Sequence, residues 1–329
     1  MEDARRQKKT PEVIAAIEQL MEYETAGDPM TSLKWTKRTT RKIAAELANL
    51  NIHVSHTTVG KLLHRMGYSL RVNQKQLVCG TSATLPKEVR NQQFEYISQL
   101  REAFTAAGNP VISVDTKKKE MIGNFKNNGR SWSAQPIQVK DHDFRSDAEG
   151  MAVPYGIYDT QANRGKIILG MSYDTPAFAV GAIDKWWKTE GNNRYAKARE
   201  LLILADSGGS NGVRPLAWRY HLQDRLCDQH TLKVTVCHYP TGASKWNPIE
   251  HRLFSEISKN WAGKPLESYE TVLKYIRKTT SSTGLRVTAQ LDTRSYRKGE
   301  TFSKEEMNQL SLVRHETLPK WNYSLSPRL

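Results

Sequence analysis

The chain has 329 residues, 38% of them hydrophobic and 25% charged, which suits a folded protein with a sizeable core, built as one large domain with an appendage or as two domains. Its 49 Lys and Arg against 34 Asp and Glu leave a net charge of +15, a surplus that draws a protein to polyanions, with nucleic acid the first candidate and an anionic membrane surface the second. No apolar run reaches the length of a membrane span, the N-terminal MEDARRQKKTPEV lacks a signal peptide's apolar core, and Cys79, Cys227 and Cys237 show no paired spacing, so a cytoplasmic protein without a disulfide framework is expected.

Residues Thr10 to Glu24 carry Val13, Ile14, Ile17, Leu20 and Met21 at helical spacing, and Gly27-Asp28-Pro29 stops that helix. From Thr31 to Arg90 eleven Lys or Arg face two Glu, so this segment holds most of the charge surplus. Within it, Thr40 to Leu50 is an amphipathic helix with Ile43, Ala44 and Leu47 inward. The turn NIHV then leads to Ser55, the cap of a second helix through Met66. The pattern is helix-turn-helix. Val59, Leu62 and Leu63 pack inward while Thr57, Thr58, Lys61 and Arg65 face out, as a helix in a DNA major groove requires, and Lys37, Arg38, Arg41 and Lys42 add cations beside it. Residues Arg71 to Thr84 read as a linker and Pro86 to Ala107 as a helix.

PVISVDT is a short β-branched run that ends on Asp115 and is followed by Lys117, Lys118 and Lys119. Val153 to Tyr158 and Gly165 to Met171 read as two more strands around a turn, so three antiparallel strands are expected. Thr175 to Glu190 has helical spacing, and Leu201 to Ala205 is an uninterrupted apolar run ending at Asp206, the mark of a parallel strand buried on both faces. A glycine-rich turn unlike any nucleotide-binding loop precedes a helix from Val213 to Cys227. Cys227, His230, Cys237 and His238 do not read as a zinc cluster, because Cys237 and His238 alternate across a strand. Val234 to Tyr239 is that fifth strand. Asn247-Pro248 opens the next helix, with Asn247 as its cap, Glu250 in its first turn and Leu253, Phe254 and Ile257 as its apolar stripe. A helix from Leu266 to Lys278, a strand from Leu285 to Leu291, a Ser303/Glu306 capping box and an extended ending complete the chain. The order of elements predicts one mixed sheet with helices on its faces.

Asp115 ends the first strand, Asp206 ends the fourth, and Glu250 follows the fifth. If the first and fourth strands are neighbours, the two aspartates are adjacent and Glu250 reaches them from the side. Three carboxylates so placed repel one another unless hard divalent cations hold them together. Two Mg²⁺ ions, or Mn²⁺ in their place, would then serve phosphoryl transfer on a nucleic acid. By contrast Asp141, Asp143, Asp147 and Glu149 lack strand-end context and read as a solvated loop, and Glu256 faces away from Glu250 on the helix. Trp218, Trp246 and Trp261 read as packing rather than base-stacking residues.

VISVDTKKKE, LLILADSGGSNG and SKWNPIEHRLFSEISKNW resemble the three blocks of a DDE transposase with a ribonuclease H-like catalytic domain. The Asn-Pro-Ile-Glu block is similar to that of the Tc/mariner-like superfamily, and the chain as a whole resembles bacterial insertion-sequence transposases of the ISAzo type. The likeness implies an α/β fold, with a ribonuclease H-like mixed five-stranded sheet and flanking helices, preceded by an all-α helix-turn-helix region. It divides the chain into a DNA-binding region (1–84), a catalytic domain (85–264) and a C-terminal extension (265–329). It implies that Asp115, Asp206 and Glu250 are the catalytic metal-binding triad, with Lys117, Asn247 and His251 in support. The substrates would be transposon-end and target DNA, handled by a homodimer or higher oligomer at the nucleoid, with no membrane partner. The alternatives are a truncated or domesticated transposase that only binds DNA, and a related metal-dependent nuclease. Two departures are Ser207, where mariner-like enzymes place Asn, and the 44 residues from Asp206 to Glu250, a longer gap than theirs. Such transposases often carry more DNA-binding sequence ahead of this region, so Met1 is expected to begin a truncated copy.

Overall fold

The computed structural model describes residues 11–20, 26–27, 34–35, 39–69, 86–243 and 246–328. Lys37, Arg38, Cys79 and the Ser244-Lys245 pair lie outside them. The chain divides into two compact units, Met1–Gln76 and Leu77–Leu329.

In the first unit, helix α1 (residues 11–20), α2 (Thr40–Asn49) and α3 (His56–Arg65) enclose a small core of Val13, Ile17, Ile43, Leu47, Val59 and Leu62. Both later helices are capped as their sequences require: the Lys42 amide donates to Thr39 Oγ1 and the Thr58 amide to Ser55 Oγ, each at 3.2 Å. Asn51 takes a left-handed φ of 60° in the turn between them, a conformation its short polar side chain tolerates. Arg41, Lys42, Thr57, Thr58, Lys61 and Arg65 are all exposed.

The second unit begins with α4 (Lys87–Ala106) and is built on one sheet. Its strands in chain order are β1 (Val111–Thr116), β2 (Glu120–Ile122), β3 (Gly150–Asp159), β4 (Arg164–Gly170), β5 (Glu200–Asp206), β6 (Lys233–Tyr239), β7 (Arg286–Asp292), β8 (Leu312–Arg314) and β9 (Asn322–Leu325). They lie in the order β8-β9-β6-β5-β1-β3-β4-β7, with β2 paired to β3. At the centre is a mixed five-stranded core: β3 is antiparallel to β1 and β4, while β5 runs parallel to β1 and to β6.

The sheet has nine strands, the five of the expected core and four more. One of the four, β7, answers to the strand read at Leu285 to Leu291, while β2, β8 and β9 are three or four residues long and are set by pairing rather than periodicity. β7 runs parallel to β4 on one side and β9 antiparallel to β6 on the other, so residues 265–329 add strands at both edges of the core.

Strand alternation sorts the two faces. Ile112, Val114, Leu201, Ile203 and Ala205 pack under α5 (Pro176–Trp186) and α6 (Leu216–Leu222). Val111, Leu202 and Leu204 face the other way, towards α4. On that second face α7 (Ser255–Asn260), the turn that leads into it and α8 (Tyr269–Arg277) cover β3 and β4 through Leu253, Phe254, Ile257 and Val272. The helix expected from Val213 starts late, leaving Leu216 44% exposed, and continues beyond α6 as a π-helical turn, Gln223–Asp228. The capping box of Ser303 and Glu306 at α9 (Lys304–Asn308) forms both of its bonds.

Candidate active site

Parallel pairing of β1 with β5 puts Val114 opposite Ala205, so the next residues on the two strands, Asp115 and Asp206, stand side by side. The same alternation turns both toward the α4 and α7 face, together with Ser113. An open cleft of about 610 Å³ lies at these strand ends, lined by Asp115, Lys118, Lys119, Asp174, Asp206 and Ser207 among others.

Glu250 comes to the pair from α7, which is entered through a π-helical turn, Glu250–Phe254. Two glycines let that turn press on the sheet. Gly156 lies directly across from Asp115 on β3, and a methyl group there would come within 2.5 Å of Phe254 Cε1 and 2.8 Å of Ile249 Cδ1. On β4, Gly165 makes the same room for Leu253.

Asn247 joins the parts. It is fully buried, and its Nδ2 donates to Asp206 Oδ1 at 2.9 Å. The Ser113 hydroxyl donates to Asn247 Oδ1, and the Asn247 carbonyl accepts the Glu250 amide at 3.1 Å. The side chain expected to cap a helix is therefore turned inward, because a partnered amide in the core satisfies two strands at once. Ser113 also accepts the Ile249 amide at 3.2 Å.

The charges are strongly coupled. Burial first, then the negative charge of Asp206 and more weakly those of Glu250 and Asp174, push Asp115 up to about 8, against the Thr116 amide that donates to it at 2.7 Å. Burial raises Asp206 against the bond from Asn247. Burial and Asp206 raise Glu250, with Lys117 and His251 opposing. Asp115 would thus hold a proton near neutral pH unless another positive charge takes its place.

Lys117 is buried, 3.3 Å from Glu120 and 4.5 Å from the centre of the Trp261 ring, and burial lowers its pKa against the pull of Glu120. His251 is exposed beside Glu250. Two residues of the site went unread in the sequence. Ser113 had a signal, a lone hydroxyl on the same strand face as Asp115 within an apolar run. Asp174 had none; it stands just before the α5 cap Thr175, bound by the Thr116 hydroxyl at 3.1 Å and by Lys119 at 3.5 Å. Asp141, Asp143, Asp147 and Glu149 are exposed in a loop, and Glu256 pairs with Lys259 at 2.7 Å. Trp218 and Trp261 are core residues, whereas Trp246 is 59% exposed with its ring 5.8 Å from that of Phe94. Among the described residues no three His, Cys, Asp or Glu side chains gather into a ready-made metal cage, and no helix is long and apolar enough to cross a membrane.

The family described as Rhodopirellula transposase DDE domain matches residues 16–327. Among solved structures, the chain is similar to a Mos1 transposase paired-end complex with the left transposon end, at 16% identity and a TM-score of 0.43 over 80% of this chain and 69% of that one. It is also similar to the Mos1 strand transfer complex, at 16% identity and a TM-score of 0.45 over 80% and 68% of the two chains. A mariner Mos1 paired-end complex with Mg matches at 16% identity and a TM-score of 0.45 over 73% and 65%. No curated protein sequence matches the chain.

Proposed function

Because the chain belongs to the transposase DDE domain family and is a DDE-type DNA transposase, we propose that Asp115, Asp206 and Glu250 are its catalytic triad. In this reading it cleaves the ends of its own element and joins their 3′-hydroxyls to target DNA. The observation that carries it is the adjacency of Asp115 and Asp206 on parallel strands, with Asn247 tying Asp206 to the turn that bears Glu250.

The donor set fits Mg²⁺ or Mn²⁺: it is all hard oxygen, and burial leaves its negative charge uncompensated enough to hold a proton on Asp115. Mg²⁺ takes only one or two protein carboxylates and completes its shell with waters and substrate phosphate, so no closed protein cage is needed. When bound, two such ions would supply Lewis-acid stabilisation of the phosphate and an activated water or 3′-hydroxyl.

The protein's part is placement. Asn247 occupies one oxygen of Asp206 and fixes the carboxylate's direction, Ser113 fixes Asn247, and the Thr116 amide fixes Asp115. Lys117 stays with Glu120 and lowers the cost of ionising Glu250. His251, exposed on the same turn, contacts DNA beside the cleft. The helix pair of the first unit binds transposon ends, with Thr57, Thr58, Lys61 and Arg65 of α3 in the major groove and Lys37, Arg38, Arg41 and Lys42 on phosphates. Two ends must be held together, so the working form is a homodimer or higher oligomer on DNA.

Purified protein incubated with Mg²⁺, its element's terminal repeats and a target plasmid should cut at the ends and join strands. Asp206→Ala and Glu250→Ala should abolish both while leaving end binding intact. Binding without Mg²⁺-dependent cutting would mean a protein that only binds DNA; cutting of hybrid or branched substrates without end specificity would mean a nuclease.

A further inference from the structure

Between β7 and α9 the chain crosses the face of α5 and α6 as a strap pinned at both ends. At the first pin, the Asp292 carboxylate accepts the Arg294 amide at 3.1 Å, Arg294 Nε at 2.8 Å and the Tyr296 hydroxyl at 2.9 Å. The Ser172 hydroxyl donates to the Arg294 carbonyl and accepts the Tyr296 amide, both at 3.2 Å, and the Tyr296 ring sits 5.3 Å from that of Phe178. At the second pin, Glu300 pairs with His221 at 2.8 Å and Phe302 lies 4.3 Å from the Tyr220 ring.

Between the pins stand Arg297 and Lys298, both exposed. Gly299, at a φ of 77°, turns the chain back toward the second pin. Among the described residues Arg297 makes no ion pair, and Lys298 Nζ rests 4.4 Å over the exposed ring of Tyr173. The two cations border a cavity of about 360 Å³ that shares Asp174 and Gly209 with the carboxylate cleft, so the two hollows adjoin. Of the acids nearby, Asp174 is paired with Lys119 and Glu300 is held by the His221 ring in the second pin. Arg297 and Lys298 are thus offered to a ligand on a segment held at both ends before the ligand arrives.

We propose that the Arg297-Lys298 strap grips the phosphodiester backbone of the DNA that runs on past the scissile phosphate. The proposal rests on the reading of the cleft as the site of DNA cleavage. A polymer suits the geometry better than a small anion: the carboxylate cleft, with Lys118 on its wall, adjoins the cavity that Arg297 and Lys298 border, so one backbone can meet both sets of cations along its length.

The test compares the full chain with the Arg297→Ala/Lys298→Ala variant on two duplexes, one ending at the cleavage point and one extending beyond it. Binding is measured by fluorescence anisotropy without divalent metal across a salt series. Two lost phosphate contacts should flatten the salt dependence on the extended duplex, so that the wild type loses about tenfold more affinity than the variant between about 50 and 200 mM salt. On the short duplex the two proteins should agree, and an Arg297→Lys/Lys298→Arg exchange should restore the wild-type slope. An unchanged slope on the extended duplex, or an equal loss on both duplexes, overturns the proposal. Cleavage in Mg²⁺ is scored separately: a wild type that binds with the strap-dependent slope yet never cuts would defeat the catalytic reading and leave the strap standing.

Discussion

Asn247 shows how much one side chain carries. It is fully buried and holds Asp206 with one end of its amide and Ser113 with the other. Asn247→Ala should take one bond from the buried Ser113 hydroxyl, which keeps the Ile249 amide, and one from the part-buried Asp206 carboxylate, at a cost of about 1–3 kcal/mol in unfolding free energy. It should also slow end cleavage about 100-fold, because Asp206 is then free to turn away from the position the reaction needs. Thermal melting and single-turnover cleavage check the two parts, and a variant that melts lower but cuts at the wild-type rate would deny Asn247 its positioning role. The residue was visible in the sequence as part of an Asn-Pro-Ile-Glu block, yet its local pattern pointed to a helix cap. Only the pairing of β1 with β5, set by residues far away in the chain, turns the amide inward. The same pairing made Ser113 a partner, whereas nothing around Asp174 hinted at its place in the cleft.

Elements were legible where a periodic pattern or cap was strong, and not where a neighbour decides the geometry. The apolar run of β5 and the capping box at α9 needed no partner to be read; the π-helical turn at Glu250 did, because it depends on two glycines in other strands. Gly156→Ala should force Phe254 and Ile249 off the sheet, costing about 1–3 kcal/mol by overpacking and carrying Glu250 away from Asp115. Cleavage should fall with end binding unchanged, and a cleavage rate equal to wild type would show that the close approach at Gly156 does not position Glu250. The strap's first pin makes a pH prediction. Burial disfavours the Asp292 carboxylate, but the bonds from Arg294 and Tyr296 outweigh it, and the pKa ends below its ordinary value. A carboxylate lowered on folding contributes stability that is complete above the ordinary carboxylate range and is lost as pH falls through the folded-state value. The melting-temperature gap between wild type and Asp292→Asn should therefore be constant from about pH 6 upward and close below about pH 4. A gap that widens toward acid would contradict the assignment.

At the scale of the whole molecule, the second unit depends on its own C-terminus. A five-stranded core with bare edges at β4 and β6 would offer two templates for association between copies, and the chain returns to cover both. The edge strand β7 was legible at Leu285 to Leu291, but β9 was not, because the four residues Asn-Tyr-Ser-Leu carry no alternation that separates a strand from an extended tail. Their burial is complete all the same: Asn322 to Leu325 are all buried against β6, and Asn322 exchanges amide bonds with Gln93 of α4 at 2.7 and 2.8 Å. That bond ties the first helix of the unit to its last strand. Removing residues 317–329 leaves β6 paired only with β5, takes the buried Tyr323 and Leu325 out of the core and leaves Gln93 with one bond, to the His238 carbonyl. The truncated protein should accumulate as aggregate, whereas Asn322→Ala should stay monodisperse and lose about 1–3 kcal/mol. Size-exclusion chromatography with thermal melting separates these outcomes. If the truncated chain ran monodisperse and melted with the full one, β9 would be an ornament of the sheet and not the strand that closes it.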